Sequence, residues 1–237
     1  MLSVVIPSYN EQDRLPATVD AIKRYMAGRG LDYELILSDD GSRDGTPAVI
    51  ATAMEGAPQV RTVLLPRNRG KGRALAAGVA VTKGDRVLLT DADLSTPIEE
   101  LSKLEAALDA GAGVAIASRS IKGSQIVISQ PVYRVLMGKT FNLIVQALLL
   151  PGLWDTQCGF KLFRGDLARA VFGELKTDGF GYDPEALYLA KRRGERIAEV
   201  PVVWRHSAPT KVLALRSSLD MFKDVIKTRF RRVAAPR

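Results

Sequence analysis

The chain has 237 residues, of which 46% are apolar, so it is long enough for one globular domain with a sizeable core. Its formal net charge of +8 favours acidic partners such as phosphates, nucleic acid or an anionic membrane surface. One cysteine excludes an intramolecular disulfide. The apolar run at residues 143–154 is shorter than the roughly 20 residues that span a bilayer, and no basic segment opens the chain, so we expect neither an integral membrane protein nor a secretory signal.

Strands and helices are predicted to alternate along the first half of the chain. Short apolar runs rich in β-branched residues predict strands at residues 2–6, 33–37, 60–65 and 86–90. The spacing of apolar residues predicts helices at residues 15–26 and 47–54, and an Ala-rich helix that ends near Thr82. This alternation is typical of an α/β fold with a largely parallel sheet.

Each of these strands is followed by a polar segment, at residues 7–11, 38–46, 67–72 and 91–93. In a parallel sheet, ligands bind outside the carboxyl ends of the strands, so we expect the four segments to converge on one edge. The oxygen ligands and cations that they carry are Asp39, Asp40, Asp91, Asp93, Arg67, Arg69 and Lys71. Together these residues predict a site for a nucleoside diphosphate with a divalent metal.

Asp91 and Asp93 follow the fourth strand with one residue between them. Strand alternation predicts that both carboxylates lie on the same side of the backbone. Close carboxylates repel each other unless a cation lies between them, and Mg²⁺ takes one or two carboxylates together with substrate phosphates. The alternative is that one of them caps the next helix and the other is solvated. A dinucleotide glycine motif is missing after the first strand, and the P-loop spacing is absent.

The second half of the chain contains two segments whose environment the sequence leaves open. A strand is predicted at residues 113–117 and a polar loop at 120–129, after which residues 131–154 change from spaced basic residues to an almost continuous apolar run. This run fits a buried core helix or a helix lying in a membrane interface. At the C-terminus one helical face is predicted to carry Leu215, Leu219, Phe222, Ile226, Phe230 and Val233. Since many basic residues accompany this face, we predict a membrane-surface helix rather than a nucleic-acid binding platform.

Five segments of the chain resemble motifs of the family 2 glycosyltransferases of the GT-A fold. They are residues 5–11 (VIPSYNE), 38–46 (SDDGSRDGT), 67–72 (RNRGKG), 91–93 (DAD) and 155–163 (DTQCGFKLF). The resemblance covers nearly the whole chain and is greatest to dolichyl-phosphate β-glucosyltransferases and bacterial polyprenyl-phosphate glucosyltransferases. Lys161 favours this glucosyl branch, because the mannosyl motif usually ends in Gly-Phe-Arg. Ser95 stands where mannosyl enzymes typically carry glutamine.

The resemblance implies an organisation and an activity. It implies a Rossmann-like GT-A sheet with helices on both faces over residues 1–212, divided into a nucleotide-sugar half at 1–118 and an acceptor half at 119–212. A basic amphipathic helix at 213–237 would lie in the membrane interface. The implied reaction moves glucose from UDP-glucose to a polyprenyl phosphate with inversion at the anomeric carbon, using Mg²⁺ or Mn²⁺. We expect a peripheral protein at the cytoplasmic face of a membrane.

The resemblance also implies roles for residues at matching positions. The implied donor-binding residues are Pro7, Tyr9, Glu11, Asp39, Asp40, Lys71, Asp91 and Ala92. Asp91 and Asp93 would hold the metal, and these two and Asp155 are the catalytic candidates. The candidates for holding the acceptor phosphate are Arg119, Arg134, Lys161 and Lys211.

A phosphate acceptor removes the need for a general base. Its second pKa lies near about 6, so it is already an anionic nucleophile at neutral pH. His206, the single histidine of the sequence, is therefore expected to be structural. Three alternatives to this function stay open: mannose transfer from GDP-mannose, a sugar nucleotidyltransferase, and a non-catalytic nucleotide-sugar-binding subunit. The nucleotidyltransferase is disfavoured, because the first strand lacks the Gly-rich, Arg-bearing loop expected after it.

Overall fold

The computed structural model describes residues 1–128, 131–205 and 214–231, and the alternation predicted for the first half is confirmed. The first-half elements are β1 (Leu2–Ser8), α1 (Leu15–Arg29), β2 (Tyr33–Asp39), α2 (Thr46–Met54), β3 (Val60–Leu64), α3 (Lys71–Ala80), β4 (Arg86–Leu89), α4 (Leu101–Asp109) and β5 (Val114–Ser118). The later elements are β6 (Gln125–Ile128), α5 (Val132–Leu148), β7 (Lys161–Arg164), α6 (Gly165–Glu174), α7 (Tyr182–Arg192), β8 (Ile197–Pro201), β9 (Val203–Arg205) and α8 (Ala214–Phe230).

Within the described ranges, seven strands form one sheet in the order β3-β2-β1-β4-β7-β5-β8. All neighbouring pairs are parallel except those of β7, which is antiparallel to both β4 and β5. The predicted α/β fold with a largely parallel sheet is therefore confirmed. Because β7 lies between β4 and β5, the two predicted halves of the chain share a single sheet.

Helices cover both faces of this sheet, because successive strand residues point to opposite sides. In β1, Val4 and Ile6 pack in a core with α1 and α4, whereas Val5 packs in a second core with α3, α5, α6 and α7. Both cores contain fully buried aliphatic residues, so the sheet is a rigid platform with its carboxyl edge free to carry loops.

The predicted polar loop at residues 120–129 is partly wrong, since Gln125–Ile128 form β6. This strand pairs in parallel with β9 in a separate two-stranded sheet. Its partner lies far away in the sequence, so local composition gave no indication of the pairing. Ile126, Val127 and Ile128 are all more than half exposed, at 52%, 58% and 52%.

Helix α5 combines both environments that the sequence left open for residues 131–154. One face is buried through Phe141, Val145 and Leu149, while Leu136 and Leu143 on the other are 65% and 60% exposed. The run is therefore a core helix on one side and an exposed apolar surface on the other.

Helix α8 packs on α5 and α7 through a face different from its predicted apolar one. Val225 and Thr228 are buried, whereas Leu219, Phe222 and Phe230 are 65%, 42% and 78% exposed. The helix end is held by Arg231, which donates at 2.7 Å to the buried carboxylate of Glu185. None of the helices in the described part of the chain has the length and apolar content required to cross a membrane.

Candidate functional site

The polar segments at the strand ends surround a cavity of about 560 Å³, hereafter the strand-end cavity. The sequence-predicted site residues that line it are Pro7, Tyr9, Glu11, Asp40, Lys71, Asp91, Ala92 and Asp93. Convergence was expected because parallel strands present their carboxyl ends at the same edge. The structure thus brings these eight predicted residues together around one space.

Asp91 and Asp93 reach the cavity by a turn and not by strand alternation. Strand β4 ends at Leu89, and the following turn places Leu94 in the left-handed region with φ of 43°. The hydroxyl of Thr18 in α1 donates to the carbonyl of Ala92 at 2.7 Å, which anchors this turn. The predicted geometry was wrong because the backbone turns immediately after β4, yet both carboxylates still line the same cavity.

Each of these carboxylates faces a cation. Lys71 Nζ, at the start of α3, lies 2.5 Å from Asp91 Oδ1, and Arg14 Nη1 lies 3.7 Å from Asp93 Oδ2. Burial alone would raise the pKa of Asp91, but the Lys71 ammonium outweighs it and holds the pKa below its ordinary value. Arg14 also contacts Glu11 through two hydrogen bonds of 2.5 and 2.6 Å. Asp91 is therefore held as a carboxylate, and both aspartates have a cation partner that a phosphate could take over.

The carboxylate of Asp91 rests directly on Gly159. A Cβ atom at this position would clash with the carboxylate carbon and both carboxylate oxygens of Asp91, so only glycine fits. Gly159 belongs to the segment that leads into β7, so the second half of the chain lies against a carboxylate of the first half.

Asp40 and Asp39 occupy different positions. Asp40 lines the cavity, and its two carboxylate oxygens accept the backbone N–H groups of Arg69 and Gly70 at 2.8 and 2.7 Å. Burial raises the pKa of Asp40, although these two hydrogen bonds oppose the shift. Asp39 is buried beneath the loop, where its carboxylate accepts hydrogen bonds from Ser42, and it does not line the cavity. The position of Asp39 therefore does not favour the predicted direct contact with the donor.

The segment at residues 177–180 closes over the loop that precedes α3. The backbone of Asp178 lies against Gly70, whose φ of 117° requires glycine, and the Asp178 carbonyl accepts the N–H of Arg73 at 3.1 Å. Phe180 follows, lines the strand-end cavity and is 41% exposed. Residues from the second half thus complete the wall of the cavity.

The residues in the strand-end cavity fit a divalent cation shared with a diphosphate. Among the described residues there is no cluster of three or more His, Cys, Asp and Glu side chains able to hold a metal by themselves. Two carboxylates, Asp91 and Asp93, do line the same cavity. Two carboxylates plus phosphate oxygens are a donor set that Mg²⁺ accepts, so the chemistry of the site suits a metal that arrives with its ligand.

A second cavity of about 600 Å³, hereafter the α5 cavity, lies between α5, β6, β9 and residues 154–157. Of the predicted site residues, Arg119 and Asp155 line it. Its walls also include Leu143, Trp154 and Trp204. The field of Arg119 contributes to lowering the pKa of Asp91, so the two cavities are electrostatically linked.

Arg119 and Asp155 form a two-point ion pair. Nε and Nη2 of Arg119 donate to the two carboxylate oxygens of Asp155 at 2.7 and 2.8 Å. The guanidinium carbon Cζ of Arg119 also lies over the Trp204 ring, 5.3 Å from the ring centroid. Glu199 accepts the backbone N–H groups of Trp154 and Asp155 at 2.8 and 2.9 Å. Burial would raise the pKa of Asp155, but the guanidinium outweighs it and lowers the pKa. A carboxylate held in this way is poorly suited to accept a proton.

The remaining predicted acceptor-phosphate residues have different outcomes. Lys161 is 1% exposed, and its ammonium contacts the Asp183 carboxylate and the Cys158 carbonyl, so this placement argues against a direct phosphate contact. Lys211 and His206 lie outside the described residues, as does the side chain of Arg134. Those assignments stay predictions.

Sequence reasoning did not assign several residues that line the two cavities. Arg14 could have been found from its i,i+3 spacing to Glu11. Lys139 and Gln146 of α5 line the α5 cavity and lie seven residues apart, on the same helical face, which is a usable signal. Phe180 had no comparable local signal, because its position depends on packing against the α3 loop.

Comparison with known proteins gives the relatives of this chain. The model of glycosyl transferase family 2 matches residues 3–172. Dolichyl-phosphate beta-glucosyltransferases of Dictyostelium discoideum and Homo sapiens are each 35% identical to the chain, covering 97% of it and 74% and 75% of their own lengths. The dolichyl-phosphate beta-glucosyltransferase of Saccharomyces cerevisiae is 32% identical, over 95% of this chain and 73% of its own.

Solved structures share the architecture. Glucosyl-3-phosphoglycerate synthase from Mycobacterium tuberculosis, in complex with Mn²⁺ and uridine-diphosphate-glucose, matches with a TM-score of 0.74 at 22% identity, over 99% of this chain and 80% of that one. The same enzyme in complex with phosphoglyceric acid matches with a TM-score of 0.73 at 22% identity, over 99% and 81%. These likenesses confirm the predicted GT-A type fold.

Replacing Asp155 by asparagine should remove about 3 kcal/mol from the free energy of unfolding at pH 7, because Arg119 would lose its buried counter-charge. The lowered pKa of Asp155 also fixes the sign of a pH effect. The ion pair stabilises the fold fully above the ordinary Asp pKa of about 3.9, and this contribution is lost as the pH falls through the lower folded pKa. Urea unfolding at pH 7, 5 and 3 should therefore show a smaller acid loss for Asp155→Asn than for the parent chain.

The control for this comparison is Asp20→Asn, which changes an exposed carboxylate of α1. It should leave both the stability and its acid dependence unchanged. An equal acid loss in Asp155→Asn and the parent chain would contradict the assignment of the ion pair.

Proposed function

Because the chain belongs to glycosyl transferase family 2, we propose that it transfers glucose from UDP-glucose to a polyprenyl phosphate at a membrane surface, giving polyprenyl-phosphate glucose. The family membership confirms the resemblance on which the sequence analysis relied. The donor, the lipid acceptor and the membrane are our proposal, supported by the names of the relatives and by the two cavities described above.

The observation that carries the proposal is the pairing of Asp91 with Lys71 at 2.5 Å inside the strand-end cavity. A diphosphate needs a metal to neutralise it and a cation to orient it. The Asp91 carboxylate is suited to bind the metal, and the Lys71 ammonium is suited to contact the diphosphate. In the related fold, a complex with Mn²⁺ and uridine-diphosphate-glucose has been solved, which supports the same ligand here. The nucleoside would then lie along Pro7, Tyr9 and Asp40.

In the proposed reaction, Asp91 and Asp93 would hold a divalent metal, which would supply positive charge to the diphosphate leaving group. Binding of the donor frees Lys71 from Asp91, and the ammonium then contacts the diphosphate. Arg14 keeps Glu11 in place and remains beside Asp93. These residues prepare departure of the nucleoside diphosphate and contribute no covalent step.

The acceptor side needs orientation more than proton transfer. A phosphate monoester with a second pKa near about 6 is already a nucleophile at pH 7. Asp155 is bound by Arg119 and its pKa is lowered, so it is suited to orienting the guanidinium and not to removing a proton. Attack of a phosphate oxygen on the anomeric carbon then forms one C–O bond as the bond to the leaving diphosphate breaks, which inverts that carbon.

The exposed face of α8 supports a membrane surface as the place of reaction. Leu219, Phe222 and Phe230 point away from the helices on which α8 packs, and they are 65%, 42% and 78% exposed. Lys227 and Arg229 are exposed on the same helix. An apolar face with adjacent cations is the chemistry that anionic lipid surfaces bind, and it suits a cytoplasmic, peripheral location.

Labelled donors distinguish this proposal from its runner-up. We expect the full chain with Mn²⁺ to transfer sugar to a prenyl phosphate from UDP-glucose and far less from GDP-mannose. Thin-layer separation of the lipid product followed by sugar identification is the measurement. Preferential transfer from GDP-mannose would contradict the proposal and identify mannose as the transferred sugar. Binding of UDP-glucose without turnover would indicate a non-catalytic subunit.

Asp91→Asn and Asp93→Asn should each lower transfer on the order of 100-fold or more, because each removes one of the two carboxylates proposed for the metal. Electron paramagnetic resonance should show weaker Mn²⁺ binding in the presence of UDP. Asp109→Asn is the matched control, since Asp109 pairs with Arg86 at the opposite end of β4. Near-normal transfer by either site variant would contradict the metal assignment.

The double variant Phe222→Ser/Phe230→Ser should sediment less with anionic vesicles while keeping its fold, because both side chains are exposed in the protein. Leu64→Ser is the control: Leu64 is 58% exposed on β3, the edge strand. The remaining binding should weaken between 0.1 and 1 M salt, where the Debye length falls from about 10 to about 3 Å. Equal sedimentation of the double variant and the parent chain would remove α8 from the membrane contact.

A further inference from the structure

The α5 cavity contains two polar side chains that no contact within the described ranges accounts for. Lys139 and Gln146 both belong to α5 and both line the cavity. Their spacing of seven residues puts them on the same face of the helix, two turns apart. The Nε2 atom of Gln146 is buried and has no hydrogen-bond partner among the residues that the structure describes. A buried donor without a partner is destabilising, so its presence calls for a ligand oxygen.

The charge balance of the cavity singles out Lys139. Arg119 also lines the cavity, but the Asp155 carboxylate binds Nε and Nη2 of its guanidinium and compensates its charge locally. Lys139 is exposed and has no ion pair with any described residue. The described part of the cavity therefore offers one uncompensated cation and one unpaired amide donor, which together suit an anionic oxygen ligand.

The rest of the wall is apolar and continues out of the cavity. Ile126, Leu143 and Trp154 line it and are 52%, 60% and 54% exposed. A ligand with an anionic head and an apolar tail would satisfy both parts of this surface. A volume of about 600 Å³ is that of a site for a drug-sized molecule, so it holds the head end of a long lipid and not the whole chain.

We propose that Gln146 and Lys139 recognise the phosphate head of the prenyl phosphate acceptor, and that Leu143 and Trp154 contact its first isoprenoid unit. This inference rests on the proposed function and deepens it, because it assigns acceptor recognition to α5 side chains outside the predicted phosphate-binding set. Gln146 determines specificity: its amide donates to a phosphate oxygen, whereas Arg119 is kept in place by Asp155.

The chain carries its own probe for this site. It has two tryptophans, and both Trp154 and Trp204 line the α5 cavity. Intrinsic fluorescence therefore reports ligand binding in this cavity directly, without donor, metal or turnover. The ligands to titrate are a fifteen-carbon prenyl phosphate, the corresponding prenyl alcohol and inorganic phosphate.

Gln146→Leu should weaken binding of the prenyl phosphate on the order of 10-fold or more, while binding of the prenyl alcohol and of UDP is unchanged. Its melting temperature should stay equal or rise, because leucine removes the buried unpaired donor; a structural role for Gln146 would instead lower it. Lys139→Gln should also weaken binding of the prenyl phosphate, and the loss of affinity should be larger at low salt than at high salt. In transfer assays the KM for the lipid should rise in both variants and the KM for the donor should not.

The matched controls lie away from the cavity. Gln59→Leu removes an amide that donates to Tyr33, and Lys103→Gln removes a lysine paired with Glu100. Both should bind the prenyl phosphate as the parent chain does.

Two outcomes would overturn the inference. One is an unchanged prenyl phosphate affinity in Gln146→Leu, or an equal loss for the prenyl alcohol. The other is inorganic phosphate competing as tightly as the prenyl phosphate, which would assign the cavity to a soluble phosphorylated compound. Since the binding assay contains no donor, a chain that binds the lipid through Gln146 but transfers no glucose would contradict the proposed function alone.

Discussion

The contact between Lys71 and Asp91 is the point at which the separate parts of the site depend on one another. Lys71 begins α3, Asp91 follows β4, and Gly159 from the segment before β7 lies against the same carboxylate. The left-handed residue Leu94 sets the direction in which the turn leaves the sheet. Three stretches that are distant in sequence therefore fix a single carboxylate, and a change in any of them alters the charge presented to a ligand.

Charges in and around the two cavities occur mostly as pairs. Asp91 faces Lys71, Asp155 faces Arg119, and the buried Asp183 faces Lys161. Each pair is close to neutral, so the excess positive charge of +8 lies on residues outside these three pairs. A ligand with two phosphates must exchange partners with a pair and not merely approach a basic surface. This arrangement favours a ligand that brings its own metal, because the displaced carboxylates then acquire a new counter-charge.

Much of the fold and the convergence of the polar strand-end loops on one cavity could be predicted, because both follow from local patterns. Apolar runs indicated the strands, and the rule that parallel strands present their ends together located the polar loops. Apart from the turn after β4, the failures have one cause: the contact that decides the structure is remote in sequence. The strand at Gln125–Ile128 depends on pairing with β9, and Asp39 and Lys161 are hidden by neighbours that no spacing reveals. The exposed residues Leu219, Phe222 and Phe230 belong to the predicted apolar face of α8, but the packing of its other face required the structure.

The seating of the α3 loop has a consequence for how the protein is made. Asp178 contacts Arg69 across 109 residues, and its backbone fills the space beside Gly70. During synthesis the amino-terminal strands leave the ribosome first, and non-local pairing is slow to form. The loop cannot reach its final position until residues 177–180 have been translated, and β7 must also enter between β4 and β5. The strand-end cavity is thus completed late in folding, and a nascent chain that stops before residue 177 has a partial sheet with an unfinished cavity wall.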